Sequence, residues 1–258
     1  LQQEWEWTEK YATQGEILTY AEHVVDRFRL RDGITFSSRV VASHYLSEED
    51  RWHVETDQGE EIKTRFVVMA TGCLSKPNYP NIEGLSEATA PVYHTGNWPH
   101  AGVDFTDKRV GVIGTGSSAI QSTPIIAQQA KSLTVFQRTP NYSIPAYNEP
   151  LDPDYVSQLK SRYAEYRREN WARGFGADFD ENDQSAFEVS DDERRSAYEA
   201  RWAKGGLAFL AAYNDLVFDM KANDTAREFF KDKIAARVDD PALAAKLVPT
   251  TPIGCKRL

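Results

Sequence analysis

Cysteine, initiating methionine, long apolar runs and excess positive charge are all missing or scarce in this 258-residue chain. The two cysteines, Cys73 and Cys255, lie far apart, and neither belongs to a CxxC pair. That argues against a disulfide framework or a paired-thiol redox centre, and a reducing cytoplasm is the expected setting. The chain opens on Leu1 and stops at Leu258, directly after Ile253-Gly254-Cys255-Lys256-Arg257, so it reads as an internal piece of a longer protein. No stretch approaches the roughly 18 apolar residues that a membrane span needs, and no signal peptide is visible. Lys and Arg number 30 against 39 Asp and Glu, a formal net charge of −9, which argues against a general nucleic-acid or polyanion binder. A local basic pocket for one phosphate remains compatible with that balance. What is present is an ordinary globular mixture, 41% apolar and 27% charged, long enough for ample core.

Along the chain, residues 4–30 are rich in helix formers, with Ile17, Tyr20, Val24 and Phe28 near helical spacing, and Asp32-Gly33 breaks the pattern. Three strand-like runs follow at 34–45, 52–56 and 62–69, separated by polar turns, and predict a β-meander. Phe66-Val67-Val68-Met69-Ala70 is continuously apolar, as expected of a strand buried on both faces. Residues 74–84, with Pro77, Pro80 and Gly84, read as an interdomain linker. Between 150 and 246 four helical stretches are expected, at 154–172, 191–202, 207–220 and 226–236, with charged outer faces and no assigned chemistry. There is no internal repeat or low-complexity tract.

The strongest signal lies between these parts. Arg109-Val110-Gly111-Val112-Ile113 reads as a short buried strand that runs into Gly114-Thr115-Gly116-Ser117-Ser118-Ala119. A helix is expected over 120–129, and a second strand over 132–136. Gly114 permits the tight turn, Gly116 lets backbone approach a pyrophosphate, and the small Ala119 allows close helix–strand packing. The pyrophosphate then meets free N–H groups at a helix N-terminus. A Gly-rich turn without a ligand is the plain alternative. Its position between strand and helix favours a dinucleotide.

The end of the second strand chooses the cofactor. An NAD site offers an acid there to the ribose 2′-hydroxyl; this chain offers Gln137-Arg138-Thr139-Pro140. A guanidinium pairs with a 2′-phosphate through two parallel bonds, and a threonine hydroxyl adds another, so NADPH is expected over NADH. Otherwise Arg138 is a solvated surface charge.

Residues 88–99 then identify a resemblance. His94, Trp98 and Pro99 match in spacing the FxGxxxHxxxW fingerprint of the Baeyer–Villiger monooxygenases, with Ala88 and Ala90 where Phe and Gly are usual. Glu4-Trp5-Glu6-Trp7 with Tyr11 and Gln14, Met69-Ala70-Thr71-Gly72, residues 114–121, residues 137–140 and 253–257 resemble other segments of that family. The resemblance covers essentially the whole chain. It implies an α/β fold: part of an FAD-binding domain and linker over 1–92, then a Rossmann-like NADP domain over 93–258 with a helical insertion at about 150–246. It implies FAD and NADP(H) as cofactors, and a ketone and O2 as substrates, giving an ester or lactone. Neither nucleic acid nor membrane is an expected partner. The FAD loop is expected before Leu1, and the remainder of both domains after Leu258.

Onto single residues the resemblance carries the following. Arg257 matches the arginine that stabilises the anionic oxidant and the tetrahedral intermediate, a task suited to a permanent cation in a water-poor site. Lys256 matches an NADP contact. Gly114, Thr115, Gly116, Ser117, Ser118, Ala119, Gln121, Arg138 and Thr139 form the rest of the NADP set, and Trp5, Val40 and Thr71 are flavin contacts. Without the resemblance, Lys256-Arg257 would read as a basic chain end, and Trp5 and Trp7 as core. His94 reads either as a hydrogen-bonded linker residue or as a residue that follows domain movement, and in neither case as catalytic. No metal ligand set is expected. A heteroatom-oxygenating flavin monooxygenase and a non-catalytic NADP-binding module remain as alternatives.

Overall fold

A computed structural model describes residues 3–174 and 176–255. Lys256, Arg257 and Leu258 lie outside the described residues. The chain packs as two units: Ala12–Trp98 together with the residues up to Trp7, and Pro99 onward together with Thr8–Tyr11. The short Thr8–Tyr11 piece is held in the second unit by Lys10 N–H donating to the Glu149 carbonyl, Leu151 N–H donating to that of Thr8, and Tyr11 N–H donating to Asn148 Oδ1 at 2.8 Å.

In the first unit, helix α1 spans Gln14–Arg27, shorter than the 4–30 expected. Thr13 sets its start: the hydroxyl accepts from Glu16 N–H, and the extended backbone of Thr13 ends the preceding stretch. Trp5 and Trp7 are not helical but pack against α1, with both rings about 5 Å from Tyr20 and Trp5 5.2 Å from His23. The expected meander forms as β1 (Val40–Leu46), β2 (Arg51–Thr56) and β3 (Glu61–Thr64), antiparallel in that order. β1 starts later than position 34 because Ser37 adopts a left-handed backbone, with φ at 56°. The apolar run 66–70 differs most from expectation. It forms no strand, and Phe66, Val68 and Met69 are 76%, 85% and 74% exposed. A strand buried on both faces needs a paired neighbour and a covering layer. β3 stops at Thr64, and no described residue pairs with 66–70.

In the second unit, β4 (Arg109–Ile113), α2 (Ser117–Gln129) and β5 (Ser132–Phe136) make a parallel βαβ unit, registered Gly111 to Thr134 and Ile113 to Phe136. β4 is not the buried strand expected: its residues alternate exposed and half-buried, since this sheet has only two strands. The helical part follows as α3 (Pro153–Ser161), α4 (Tyr163–Ala172), α5 (Asp191–Lys204), α6 (Met220–Ala235) and α7 (Pro241–Leu247). The single helix expected over 154–172 breaks at Arg162, whose backbone leaves helical geometry. Residues 207–220 are not an α-helix either. A 3₁₀ stretch, Gly206–Ala212, is followed by turns, and the Asp219 carboxylate accepts from Lys221 and Ala222 N–H to start α6 six residues before the expected 226. Ser190 and Glu193 cap α5 reciprocally.

The main core sits here. Tyr142, Tyr198, Trp202, Phe209, Leu216, Phe229, Phe230 and Ile253 are buried together, with Tyr198 stacked on Phe209 at 5.4 Å and Phe230 edge-on to Tyr142 at 5.0 Å. Among the described residues no helix is long and apolar enough to cross a membrane.

Burial pushes the Tyr198 phenol up to about 12. Its raised folded value means that the native state holds its proton where the unfolded chain, near 10, loses it. Stability is therefore complete below pH 10 and declines between pH 10 and 12, by on the order of 2–3 kcal/mol for this group. Tyr198→Phe is expected to flatten that alkaline decline in a denaturant titration followed across pH.

Candidate dinucleotide site

The Gly-rich turn is built from the sheet outward. Gly114 N–H donates to the Phe136 carbonyl at 2.9 Å, continuing the parallel ladder one step past β4. Its φ of 106° lies where L side chains are strained, so the turn needs glycine there. Gly116 caps α2 with no side-chain bond, and the first intrahelical bond runs from Ile120 N–H to the Gly116 carbonyl. The N–H groups of Ser117, Ser118 and Ala119 are thus left for an anion.

The turn is braced by the stretch that follows β5. Thr115 Oγ1 donates to the Thr139 carbonyl at 2.9 Å, and Asn141 Nδ2 donates to the Thr115 carbonyl at 2.5 Å. Arg138 stands between these anchored residues and Gln137, whose side-chain amide donates to the Lys246 carbonyl at 2.8 Å. Arg138 itself is exposed and forms no ion pair among the described residues. A fixed backbone with an uncommitted guanidinium suits a phosphate. Gln121 bends back on its own helix, donating one amide hydrogen to the Ser117 carbonyl at 3.0 Å, so its amide oxygen and second hydrogen stay uncommitted.

The remaining candidates fall elsewhere. Trp5, Val40 and Thr71 belong to separate pieces of the first unit: the aromatic cluster on α1, the first residue of β1, and an exposed irregular stretch. Trp5 carries a buried indole N–H with no partner. His94 Nδ1 accepts from Gly96 N–H at 3.0 Å and its ring lies 4.8 Å from Tyr79, contacts that both readings of this residue allow. Lys256 and Arg257 lie outside the described residues. Among the described residues no cluster of His, Cys, Asp or Glu could hold a metal ion.

Four supporting residues were not anticipated in this role: Gln137, Asn141, Tyr142 and Asn223. Tyr142, 1% exposed, donates its hydroxyl to the Thr251 carbonyl at 2.7 Å, and burial pushes its phenol up, keeping that proton in place. Asn223 holds the backbone of Ile253. A signal for Asn223 did exist. It shares with Ala222, Ala226, Phe229 and Phe230 the buried stripe of α6, where a polar residue has to find partners.

Over residues 2–200 the sequence matches the pyridine nucleotide-disulphide oxidoreductase family. The chain belongs to that family. Its two cysteines are both free and exposed, so the family's name brings no dithiol with it here. More narrowly, its relatives are monooxygenases, several of them named for ketones. It is 35% identical over 263 residues to the 2-oxo-Δ3-4,5,5-trimethylcyclopentenylacetyl-CoA monooxygenase of Pseudomonas putida, covering 99% of this chain and 48% of that protein. It is 37% identical over 244 residues to the cyclohexanone 1,2-monooxygenase of an Acinetobacter species, covering 93% of this chain and 44% of that one. Among solved structures, an oxidised steroid monooxygenase bound to NADP superposes with a TM-score of 0.93 at 54% identity, covering 99% of this chain and 49% of that one. The expected α/β fold is that of these enzymes. The chain spans about half the length of the curated relatives it matches.

Gly114→Ala places a Cβ on a backbone at φ 106° with no neighbour to clash. The expected cost is pure backbone strain, about 1–3 kcal/mol. A lowered melting temperature should come with weaker NADP+ binding by titration. Unchanged binding would show that the turn's geometry does not matter to the ligand.

Proposed function

We propose that this chain is the central part of an NADPH- and FAD-dependent Baeyer–Villiger monooxygenase, which inserts one oxygen atom of O2 beside a ketone carbonyl to give an ester or lactone. One observation carries the reading: a Gly-rich turn with unspent N–H groups stands braced beside an uncommitted Arg138, in a chain whose relatives are named as ketone and steroid monooxygenases. Residues 1–92 would be part of the FAD domain with its linker, and 93–258 the NADP domain with its helical insertion. The Ser117, Ser118 and Ala119 N–H groups take the pyrophosphate, and Arg138, the Thr139 hydroxyl and Lys256 take the 2′-phosphate. Trp5, Val40 and Thr71 serve the flavin; the buried, unpartnered indole N–H of Trp5 is the feature that fits such a polar group. FAD, when bound, supplies the two-electron reduction by NADPH and the activation of O2.

Arg257 is the catalytic residue. Its guanidinium cannot lose its proton, so it can donate to negative charge as that charge develops on the ketone oxygen and then release the neutral ester. The two unpaired cysteines accord with a cytoplasmic setting. Cyclohexanone and a steroid ketone are the substrates to try first. In the full-length protein, Arg257→Ala should lower ester formation about 100-fold or more, on the scale of losing one oxyanion donor. Normal turnover in the variant would remove Arg257 from the mechanism. Oxygenation of sulfides or amines with no ketone product would favour the heteroatom-oxygenating alternative.

A further inference from the structure

The Gly-rich turn and the stretch that carries Arg138 leave one sheet side by side. The ladder of β4 and β5 extends to the bond from Gly114 N–H to the Phe136 carbonyl, at 2.9 Å. Past it, side chains carry the contact. Thr115 Oγ1 donates to the Thr139 carbonyl at 2.9 Å. Asn141 Nδ2 donates to the Thr115 carbonyl at 2.5 Å and lies 3.5 Å from Thr115 Oγ1. Thr115, Thr139 and Asn141 are all half-buried, so water competes only in part for these bonds. Gln137 fixes the other flank of Arg138, through the Lys246 carbonyl. Pro140 stiffens the stretch further, because its ring restricts the backbone of Thr139 before it. The backbone of Arg138 is therefore held on both sides, while its guanidinium forms no ion pair among the described residues.

This clasp joins the two phosphate seats. In a dinucleotide that bears a 2′-phosphate, the ribose sets the separation of that phosphate from the pyrophosphate covalently. The protein has to match that separation, and a cation misplaced by about 1 Å loses much of a bidentate contact. We propose that the Thr115 hydroxyl and Asn141 are positioning groups, which set Arg138 at the matching distance from the Gly-rich turn and so govern the preference for a 2′-phosphate without touching it. The proposal rests on the reading of the turn and Arg138 as a dinucleotide seat given above. It adds that the preference belongs to the clasp as well as to the guanidinium. The Thr115 hydroxyl proton is accordingly spent on the Thr139 carbonyl and not on the cofactor. A clasp that merely stabilised the turn would serve any dinucleotide, and its loss would weaken NADP+ and NAD+ alike. A positioning clasp is felt by the nucleotide that spans both seats, since NAD+ has no phosphate to offer Arg138.

The test uses the full-length protein with Thr115→Val, Thr115→Ser and Asn141→Ala, titrated with NADP+ and NAD+, which bind without being consumed. Thr115→Val exchanges a hydroxyl for a methyl of similar size, so it reports even if Asn141→Ala fails to fold. The readout is the ratio of the two dissociation constants, alongside melting temperature. Positioning predicts that the preference for NADP+ falls about fivefold in Thr115→Val and in Asn141→Ala, the scale of one net hydrogen bond, and that Thr115→Ser keeps it. In an Arg138→Gln background, adding Thr115→Val should change the ratio less than twofold, because the clasp acts through the guanidinium. Equal weakening of NADP+ and NAD+, or a ratio that falls as far without Arg138 as with it, would overturn the proposal and leave the seat standing. If the wild-type protein shows no preference for NADP+, the reading of the seat has failed, and the positioning role falls with it.

Discussion

The second unit depends on side chains that hydrogen-bond to backbone where regular structure has ended. β5 stops at Phe136, and over the next six residues Gln137, Asn141 and Tyr142 each give a proton to a distant carbonyl, while the Thr139 carbonyl receives one from Thr115. Each such bond contributes only about 1 kcal/mol net, but leaving one buried partner unsatisfied costs about 1–3 kcal/mol. That asymmetry makes the arrangement rigid. The Gly-rich turn keeps its N–H groups unspent because its carbonyl and hydroxyl are engaged from behind, not because a side chain caps the helix.

The helical part gives this arrangement its foundation. Its aromatic core, from Tyr198 to Phe230, encloses Tyr142 and Ile253 together. Two residues far apart in sequence therefore share one hydrophobic cluster, and Asn223 supplies the polar partner that an otherwise apolar face of α6 lacks. The helices were read from sequence as carrying no chemistry. They contain no candidate catalytic group, yet through Asn223 they hold the backbone of Ile253.

The βαβ unit was legible because its signals are local: two β-branched or apolar runs, glycines at fixed offsets, and a small residue at position 119. The meander turns were legible for the same reason. Burial was not. The run 66–70 and strand β4 were expected inside, but both need neighbouring layers that no described residue supplies, and an apolar pattern tells what a segment prefers rather than what covers it. Helix ends were misjudged where a cap outweighed periodicity, at Thr13 and Asp219. The bracing by Asn141 and Tyr142 was invisible, since a side chain's partner more than 25 positions away leaves no local pattern.

The central claim is that the turn and Arg138 together form a seat for a dinucleotide bearing a 2′-phosphate. Direct titration of the protein with NADPH and NADH, repeated in Arg138→Gln, tests it most directly. NADPH should bind at least about tenfold more tightly, as one charge-assisted bidentate contact allows, and that preference should shrink with salt and vanish in the variant. Equal affinity for the two nucleotides, or a preference that survives loss of the guanidinium, would contradict it.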